Sequence, residues 1–260
     1  AEHVAPIVSM LAIASGGEGE FSKRPFMKVH ISPVISPMRY GEDAVDVLYE
    51  CVRHNIPISC ITAAQAGATA PATMAGFLAQ SLAETLASLV MVHAIRPGYP
   101  MVFSNWTLVI DLRTGAFSGG SGESALLNAA SSGVACSMTD AKAIDAQYGV
   151  EKGISSLAAA LAGGNLIYES SGMTASLLGA SFEAFVLDDE MHSNTYRTLR
   201  GIEVSDDNLG VYAIKEAVLG AGHFLGGDHT VAAMERDYFY PTLADRLEPR
   251  TWAENGAKDA

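Results

Sequence analysis

The stretch Gly133–Lys152, GVACSMTDAKAIDAQYGVEK, is typical of a buried strand that passes through a polar turn into a helix. The turn carries an unusual density of polar groups for a chain that is only 17% charged. These groups are Thr139, Asp140, Lys142, Asp145 and Gln147. In α/β proteins, chemistry is concentrated at the carboxyl ends of strands, so this turn is a candidate site. A purely structural role is also open, because Thr139 or Asp140 could cap the helix that follows.

Length and composition narrow the classes of protein to which the chain can belong. Its 260 residues, 49% of them hydrophobic, can build one substantial core or two small ones. A net charge of −13 argues against a nucleic-acid partner. Cys51, Cys60 and Cys136 lie in apolar contexts, which favours buried, reduced thiols and a cytoplasmic location. The longest apolar run, Ala83–Ile95, is interrupted by polar residues and too short to span a bilayer, so no membrane association is expected.

Short apolar strands alternate with longer helical runs along the chain. Strands are predicted at 26–34, 56–62, 101–106, 134–137 and 165–168. Helices are predicted at 41–53, 73–93, 123–131 and 148–162 between them, and at 195–200 and 205–218 after them. This alternation indicates a parallel α/β protein. A closed barrel would need about eight strands, so either some strands are cryptic or the first ones are absent from this chain.

The first predicted strand ends at 30–33, because Pro33 cannot continue a central strand. Polar and aromatic residues collect at the ends of the predicted strands or just past them, where an active site would lie. They are His30, Ser32, Gln65, Asn105, Trp106, Asp140, Lys142, Tyr168 and Glu169. Each of these residues could instead have a purely structural role. Trp106 could simply be buried, and His30 could be a histidine of the core. Glu169 could be either functional or structural. His223, Asp228 and His229 lack an evident further ligand, so no metal site is predicted.

Six groups of short motifs are spread along the chain between residues 24 and 230. They are RPF at 24–26 with 30–33, IDLRTGAFS at 110–118, TDAK with DAQ at 139–147, LAGGNLIY at 161–168, LRGIEV at 199–204, and GHFLG with HT at 222–230. Together they resemble the trimethylamine methyltransferase family, the corrinoid-dependent methylamine methyltransferases. The resemblance implies a TIM-type (β/α)8 barrel. Because family members are nearly twice as long, it also implies the C-terminal half to two-thirds of such a barrel, incomplete in this chain. Residues 1–247 are assigned to this single barrel domain and 248–260 to a polar C-terminal tail.

The chain departs from the family pattern in two places. The connection from the predicted helix at 123–131 to Thr139 is shorter than in the family, which places part of one barrel unit in question. No pyrrolysine, the special residue of the trimethylamine enzymes, occurs in the sequence. The resemblance to non-pyrrolysine members therefore implies a quaternary amine substrate such as glycine betaine.

The implied reaction transfers a methyl group from a quaternary or tertiary methylamine to Co(I) of a partner corrinoid protein, with no cofactor bound tightly by this chain. Such a displacement relies on positioning and on exclusion of water, and the cationic nitrogen is held by aromatic faces and a carboxylate. The catalytic candidates are Asp140, Lys142, Asp145 and Gln147. The substrate-binding candidates are His30, Gln65, Phe103, Trp106, Phe117, Glu123 and Tyr168. Glu123 or Asp140 would supply the counter-charge, and Lys142 or Arg113 would bind a substrate carboxylate.

Two other classes of function stay open. One is a barrel lyase that forms a Schiff base through Lys142, and the other is a non-catalytic protein that binds quaternary amines. The alanine-rich helix predicted at 73–93 could contribute to a homo-oligomer, although packing in the interior is the simpler explanation.

Overall fold

The computed structural model describes residues 1–131 and 134–258. Its strands are β1 (Val29–Ile31), β2 (Val34–Ile35), β3 (Arg39–Tyr40), β4 (Ile58–Thr62), β5 (Gln65–Ala66), β6 (Met101–Asn105), β7 (Leu108–Val109), β8 (Val134–Cys136), β9 (Leu166–Tyr168), β10 (Met173–Thr174) and β11 (Gly179–Ala180). Its helices are α1 (Val4–Ala14), α2 (Glu20–Lys23), α3 (Glu42–Arg53), α4 (Met74–Ile95), α5 (Gly122–Ser131), α6 (Ala146–Leu161), α7 (Phe182–Leu199), α8 (Val211–Leu219), α9 (Asp228–Asp237) and α10 (Pro249–Glu254). Two compact units result, Ala1–Ala184 and Phe185–Ala260.

Parallel strands form the centre of the first unit. The strands β1, β4 and β6 make one parallel sheet, with His30 opposite Ser59 and Thr62 opposite Asn105. The strands β8 and β9 form a second parallel pair, with Cys136 opposite Tyr168, and β8 also contacts β6. All five strands were expected from the sequence, and the α/β class is confirmed. Within the described ranges they do not close into a barrel.

Helices α3, α4, α5 and α6 connect these strands in turn, so each crossover returns the chain to the same edge of the sheet. Helix α3 shows why the sequence folds this way. Glu42 and Asp43 lie in its first turn, where carboxylates favour the positive end of the helix dipole. Leu48, Cys51 and Val52 form its buried face. They pack with Ile58 and Cys60 of β4 in the main hydrophobic core; all three cysteines of the chain are buried and free of disulfides.

By length and composition alone, helix α4 could cross a membrane. The core helix of a soluble protein can meet the same two criteria. It packs against β4 and β6 and buries a polar stripe that includes Glu84. The Glu84 carboxylate accepts hydrogen bonds from Ser36 Oγ at 2.6 Å, Met38 N at 3.0 Å and Gln80 Nε2 at 3.0 Å. The bonds from Ser36 and Met38 tie the hairpin of β2 and β3 to the helix.

Several predicted boundaries were wrong. The strand predicted at 26–34, whose end Pro33 places at 30–33, spans only Val29–Ile31, so its predicted start at Phe26 was wrong. Val34 pairs with Tyr40 in a separate hairpin. The helix predicted at 195–200 begins at Phe182, so α7 also contains the acidic run 188–190. Asp188 in that run is buried.

The second unit is helical, built from the later part of α7 with α8, α9 and α10. Glu190 of α7 organises its loop: the carboxylate accepts backbone N–H bonds from Thr242 at 2.6 Å, Leu243 at 2.6 Å and Ala244 at 2.9 Å. The segment 248–260, expected as a polar tail, contains the short helix α10.

Candidate functional site

A cavity of about 230 Å³ lies at the carboxyl ends of the parallel strands. Its lining comes from all five of them or from the residues that directly follow. The lining residues are His30, Ile61, Ser104, Asn105, Trp106, Cys136, Tyr168 and Glu169. This is the location at which parallel α/β proteins place their sites. The cavity therefore brings together His30, Trp106 and Tyr168 of the residues predicted for substrate binding.

Tyr168 joins the two ends of the row of strands. Its hydroxyl lies 2.9 Å from His30 Nε2, and the two rings meet edge to face with centroids 4.8 Å apart. Lys28 Nζ donates to the same hydroxyl at 2.5 Å and lies 5.2 Å from the centre of the tyrosine ring. Burial, together with the charge of Lys28, lowers the pKa of His30. The imidazole is thereby favoured in its neutral form, whose unprotonated nitrogen can accept a hydrogen bond from the tyrosine hydroxyl.

Trp106 directly follows β6, and its backbone N–H donates to Thr62 O at 2.9 Å, which continues the sheet for one residue. The indole Nε1 is buried and has no hydrogen-bond partner among the described residues. Buried indole N–H groups usually have a partner. Trp106 therefore offers the cavity both an aromatic surface and an unused donor.

Glu169 follows Tyr168 and has an unusual backbone, with φ of 51°, in the left-handed region that side chains other than glycine rarely adopt. Its Oε2 atom is buried without a hydrogen-bond partner among the described residues. Burial raises the pKa of this carboxyl, while a hydrogen bond from the Cys136 thiol and the charge of Lys152 oppose that shift. The cavity consequently contains a carboxylate that has unused capacity to interact with a cation.

Cys136 does not behave as a nucleophile in this arrangement. Burial raises the pKa of its thiol, and the neighbouring Glu169 carboxylate raises it further. The nucleophilic form of cysteine is the thiolate. Cys136, which lies just before the polar turn, therefore contributes a neutral thiol to the wall of the cavity.

The polar turn between β8 and α6 is held by hydrogen bonds of its own. Asp140 accepts from the backbone N–H groups of Gly119 at 2.7 Å and Gly120 at 3.2 Å, and from Ser176 Oγ at 2.5 Å. Glu151 of α6 accepts from Thr139 Oγ1 and from the Asp140 N–H, both at 2.7 Å. These contacts lock the path of the chain between β8 and α6.

The other catalytic candidates lie outside the cavity lining. Asp145 caps α6, its Oδ1 accepting from Tyr148 N at 3.0 Å. Gln147 donates to Glu151 Oε1 at 2.8 Å on the exposed side of the helix. Lys142 is exposed and donates to the Asp140 carbonyl at 2.6 Å. Their predicted catalytic roles stay predictions, and each has a structural partner.

The remaining substrate-binding candidates lie outside the lining of the strand-end cavity. Gln65 belongs to β5, and Phe103 is an exposed residue of β6. Phe117 forms an isolated antiparallel β-bridge with Ile110. Glu123 lines a separate cavity of about 470 Å³ together with Arg113.

Arg113 in that second cavity is already paired. Its guanidinium donates two hydrogen bonds to the Asp111 carboxylate, at 2.9 Å and 2.6 Å, and its backbone N–H donates a third at 2.9 Å. These bonds lower the pKa of Asp111 to about 2. Arg113 is thus engaged locally rather than presented to a substrate carboxylate in the strand-end cavity.

The described ranges contain no group of three or more His, Cys, Asp or Glu that could hold a metal. His223, Asp228 and His229 line a groove of about 750 Å³ in the second unit. The His229 ring there contacts the carbonyl oxygen of Asp207 through Nε2 at 3.3 Å.

These features define a class: a parallel α/β protein with an aromatic and acidic cavity at the carboxyl ends of its strands. The family is then settled by comparison, because residues 1–260 match the family described as trimethylamine methyltransferase (MTTB), and the chain belongs to this family.

Curated relatives agree with this assignment. The chain is 30% identical over 257 residues to a glycine betaine methyltransferase of Desulfitobacterium hafniense strain Y51, covering 95% of this chain and 53% of the relative. It is 33% identical over 259 residues to the trimethylamine methyltransferase MttB of Methanosarcina thermophila, covering 95% and 53%. A trimethylamine methyltransferase MttB of D. hafniense strain DSM 10664 / DCB-2 is 32% identical over 263 residues, covering 97% and 52%. The chain thus spans about half the length of these relatives.

Proposed function

We propose that this protein transfers a methyl group from a quaternary or tertiary methylamine, such as a betaine, to Co(I) of a partner corrinoid protein. The observation that carries the proposal is the strand-end cavity, in which the aromatic rings of Trp106 and Tyr168 adjoin the buried carboxylate of Glu169. Membership of the trimethylamine methyltransferase family supports the same reaction.

The cavity has the groups that bind a methylated ammonium ion. Such a cation has no N–H donors when fully methylated, so it is recognised by aromatic faces and by charge rather than by hydrogen bonds. Trp106 and Tyr168 provide the aromatic surface. Glu169 provides the negative charge, replacing Glu123 and Asp140, which were the counter-charges expected from the sequence.

The chemistry needs little from the protein beyond this binding. The two electrons of Co(I) form the new cobalt–carbon bond, giving methyl-Co(III), while the carbon–nitrogen bond breaks and its electron pair stays on nitrogen. A quaternary ammonium ion leaves as a neutral amine without proton transfer, and a tertiary methylamine does the same when it reacts in its protonated, ammonium form. The protein's contribution is to align the C–N bond with the incoming cobalt and to exclude water.

The strand-end location also fits the geometry of a corrinoid partner. We propose that the five parallel strands belong to a (β/α)8 barrel and that the partner approaches at their carboxyl ends. The methyl group must come within bonding distance of cobalt, so the partner has to cover the mouth of this cavity.

The test is to incubate the protein with a Co(I) corrinoid protein and a panel of trimethylamine, tetramethylammonium, glycine betaine and choline. Formation of methyl-Co(III), followed in the cobalt spectrum, is the expected result for at least one amine. If none yields methyl-Co(III), the proposal is wrong. Binding of an amine without any transfer would instead favour the non-catalytic binding protein.

The lyase alternative receives no support from the geometry. It predicts that a carbonyl substrate and borohydride label Lys142, but that side chain is exposed, bonded to the Asp140 carbonyl and absent from the cavity lining. Labelling of Lys142 at stoichiometric yield would restore the alternative.

A further inference from the structure

A lysine that the proposed reaction does not use lies directly behind the cavity. Lys152 of α6 is fully buried, which is rare for a lysine unless its charge is satisfied. Its ammonium group donates to the carbonyl oxygen of Glu169 at 2.7 Å and to that of Ser137 at 3.1 Å. These two carbonyls belong to the residues that immediately follow β9 and β8.

The hydrogen bond from Lys152 reaches the carbonyl of Glu169, the residue whose backbone has an unfavourable left-handed conformation. A left-handed φ in a residue that is not glycine persists only where surrounding contacts hold it, at a cost of about 1–3 kcal/mol. A charged donor on the Glu169 carbonyl is a contact of that kind, since charge-assisted hydrogen bonds are stronger than neutral ones. The bond to Ser137 anchors the same ammonium to the end of the neighbouring strand.

The conformation of Glu169 determines where its carboxylate points. Tyr168 and Glu169 are consecutive, yet both line the cavity. In an extended strand, successive side chains would point to opposite faces. The left-handed turn at Glu169 is what breaks this alternation and turns the carboxylate toward Cys136 and the cavity.

We propose that Lys152 is a positioning residue of this site, which fixes the left-handed backbone of Glu169 and thereby directs the Glu169 carboxylate into the cavity. The inference rests on the proposed function for the identity of the ligand, a methylated ammonium ion. The charge of Lys152 also supports binding of a cation. Burial disfavours the ionised form of Glu169, and the nearby positive charge of Lys152 favours that form.

The first experiment needs no ligand and no turnover. The protein is labelled with ¹³C at the glutamate carboxyl carbons, and the Glu169 resonance is identified by its disappearance in Glu169→Gln. The other titratable groups that line this cavity are His30, Cys136 and Tyr168, and Lys152 acts on Glu169 from behind it. In Lys152→Met we expect the Glu169 midpoint to move to higher pH and its chemical shift to approach that of exposed glutamates. An unchanged midpoint and shift would overturn the proposal, whether or not the protein transfers methyl groups.

The second experiment separates positioning from a general role in stability. Glycine betaine binding is measured by calorimetry for the wild type, Lys152→Met, Glu169→Gln and the double variant. If Lys152 acts through Glu169, the Lys152→Met protein binds about tenfold more weakly than the wild type. The double variant then binds about as well as Glu169→Gln alone. Equal losses in both backgrounds would overturn the proposal. If the wild type binds glycine betaine but forms no methyl-Co(III), the proposed function fails while this test still stands.

A further variant covers the case in which Lys152→Met does not fold. Lys152→Gln keeps a buried donor but can satisfy only part of the lysine's contacts, so we expect an intermediate shift of the Glu169 resonance. A folded Lys152→Gln protein with a wild-type Glu169 resonance would contradict the assignment.

Discussion

The hydroxyl of Tyr168 and Nε2 of His30 lie 2.9 Å apart, although 138 positions separate the two residues in sequence. They belong to β9 and β1, the outer members of the row of parallel strands. Contact between the two outer strands requires the row to curve, so that its carboxyl ends surround one cavity. The aromatic wall of the candidate site is therefore a direct result of this curvature.

Replacing Trp106 by alanine tests the aromatic part of the site. Cation–π contacts contribute about 0.5–1 kcal/mol at exposed sites and about 2 kcal/mol or more when desolvated. We therefore expect Trp106→Ala to weaken glycine betaine binding at least roughly tenfold by calorimetry. Trp106→Phe retains part of the aromatic face and should lose less. Trp252→Phe, at the exposed helix α10, is the matched control and should bind like the wild type. Unchanged affinity in Trp106→Ala would make Trp106 only a core residue.

Glu169 predicts how binding depends on pH. The pKa of this carboxyl is raised by burial, so it takes up a proton at a higher pH than an ordinary glutamate. Affinity for a quaternary cation should fall as pH drops through this raised pKa and remain level above it. Glu169→Gln should bind weakly at every pH. Calorimetric titration across pH 4–8, a range chosen to bracket ordinary and raised glutamate pKa values, measures this; an identical pH profile for both proteins would contradict it.

The same residue has an opposite effect on stability. Because the pKa of Glu169 is raised in the folded state, the folded protein holds this proton more tightly than the unfolded chain. Its contribution to the free energy of unfolding is present at low pH and is lost as pH rises through the folded-state value. Glu169→Gln, which keeps the shape without the charge, should therefore unfold at higher urea concentration than the wild type at neutral pH.

Lys28 should control the protonation of His30. Its positive charge is a secondary cause, after burial, of the lowered pKa of the imidazole. Lys28→Met should raise that pKa partway back toward the ordinary value near 6.5, leaving the part due to burial. An NMR titration of His30 provides the measurement. Lys23→Met is a suitable control, because Lys23 is exposed and paired with Glu20 at 2.6 Å.

Asp145 separates capping from catalysis. Loss of an N-cap side chain costs about 1 kcal/mol, so Asp145→Ala should lower stability in urea by that amount. Asp145→Asn retains a capping oxygen and should be close to the wild type. If capping is the whole role, both variants transfer methyl groups at the wild-type rate. A large loss of transfer in Asp145→Asn would instead support the catalytic role predicted from the sequence.

The sequence predicted the strands well because a buried parallel strand is a short apolar run between turns, and β4 and β6 have that form. It also predicted His30, Trp106 and Tyr168 at strand ends, since their position depends only on where a strand stops. Phe103 shows the limit: it lies two residues before a strand end and is exposed. Which side of a strand faces the cavity depends on the curvature of the sheet, which local sequence does not encode.

Glu169 and Lys152 were harder to assign for a different reason. The sequence places Glu169 at a strand end, but the left-handed turn of its backbone is a tertiary effect that no glycine marks in the sequence. The burial of Lys152 left one signal in the sequence. It lies four residues after Tyr148 and three or four before Ser155 and Ser156, on the small-residue face of α6 that is buried.

The rates at which the three buried cysteines react with thiol reagents would report how often the structure around each of them opens to solvent. Thiol reagents need a thiolate that solvent can reach, and burial raises the pKa of Cys60 to about 12 and that of Cys136 still further. Cys51 and Cys60 lie in the core between α3 and β4, whereas Cys136 lies in the cavity wall. The rate at which Cys136 is modified would thus report how often the cavity opens and whether it is occupied. The rates at Cys51 and Cys60 would report on unfolding of the core in the same sample.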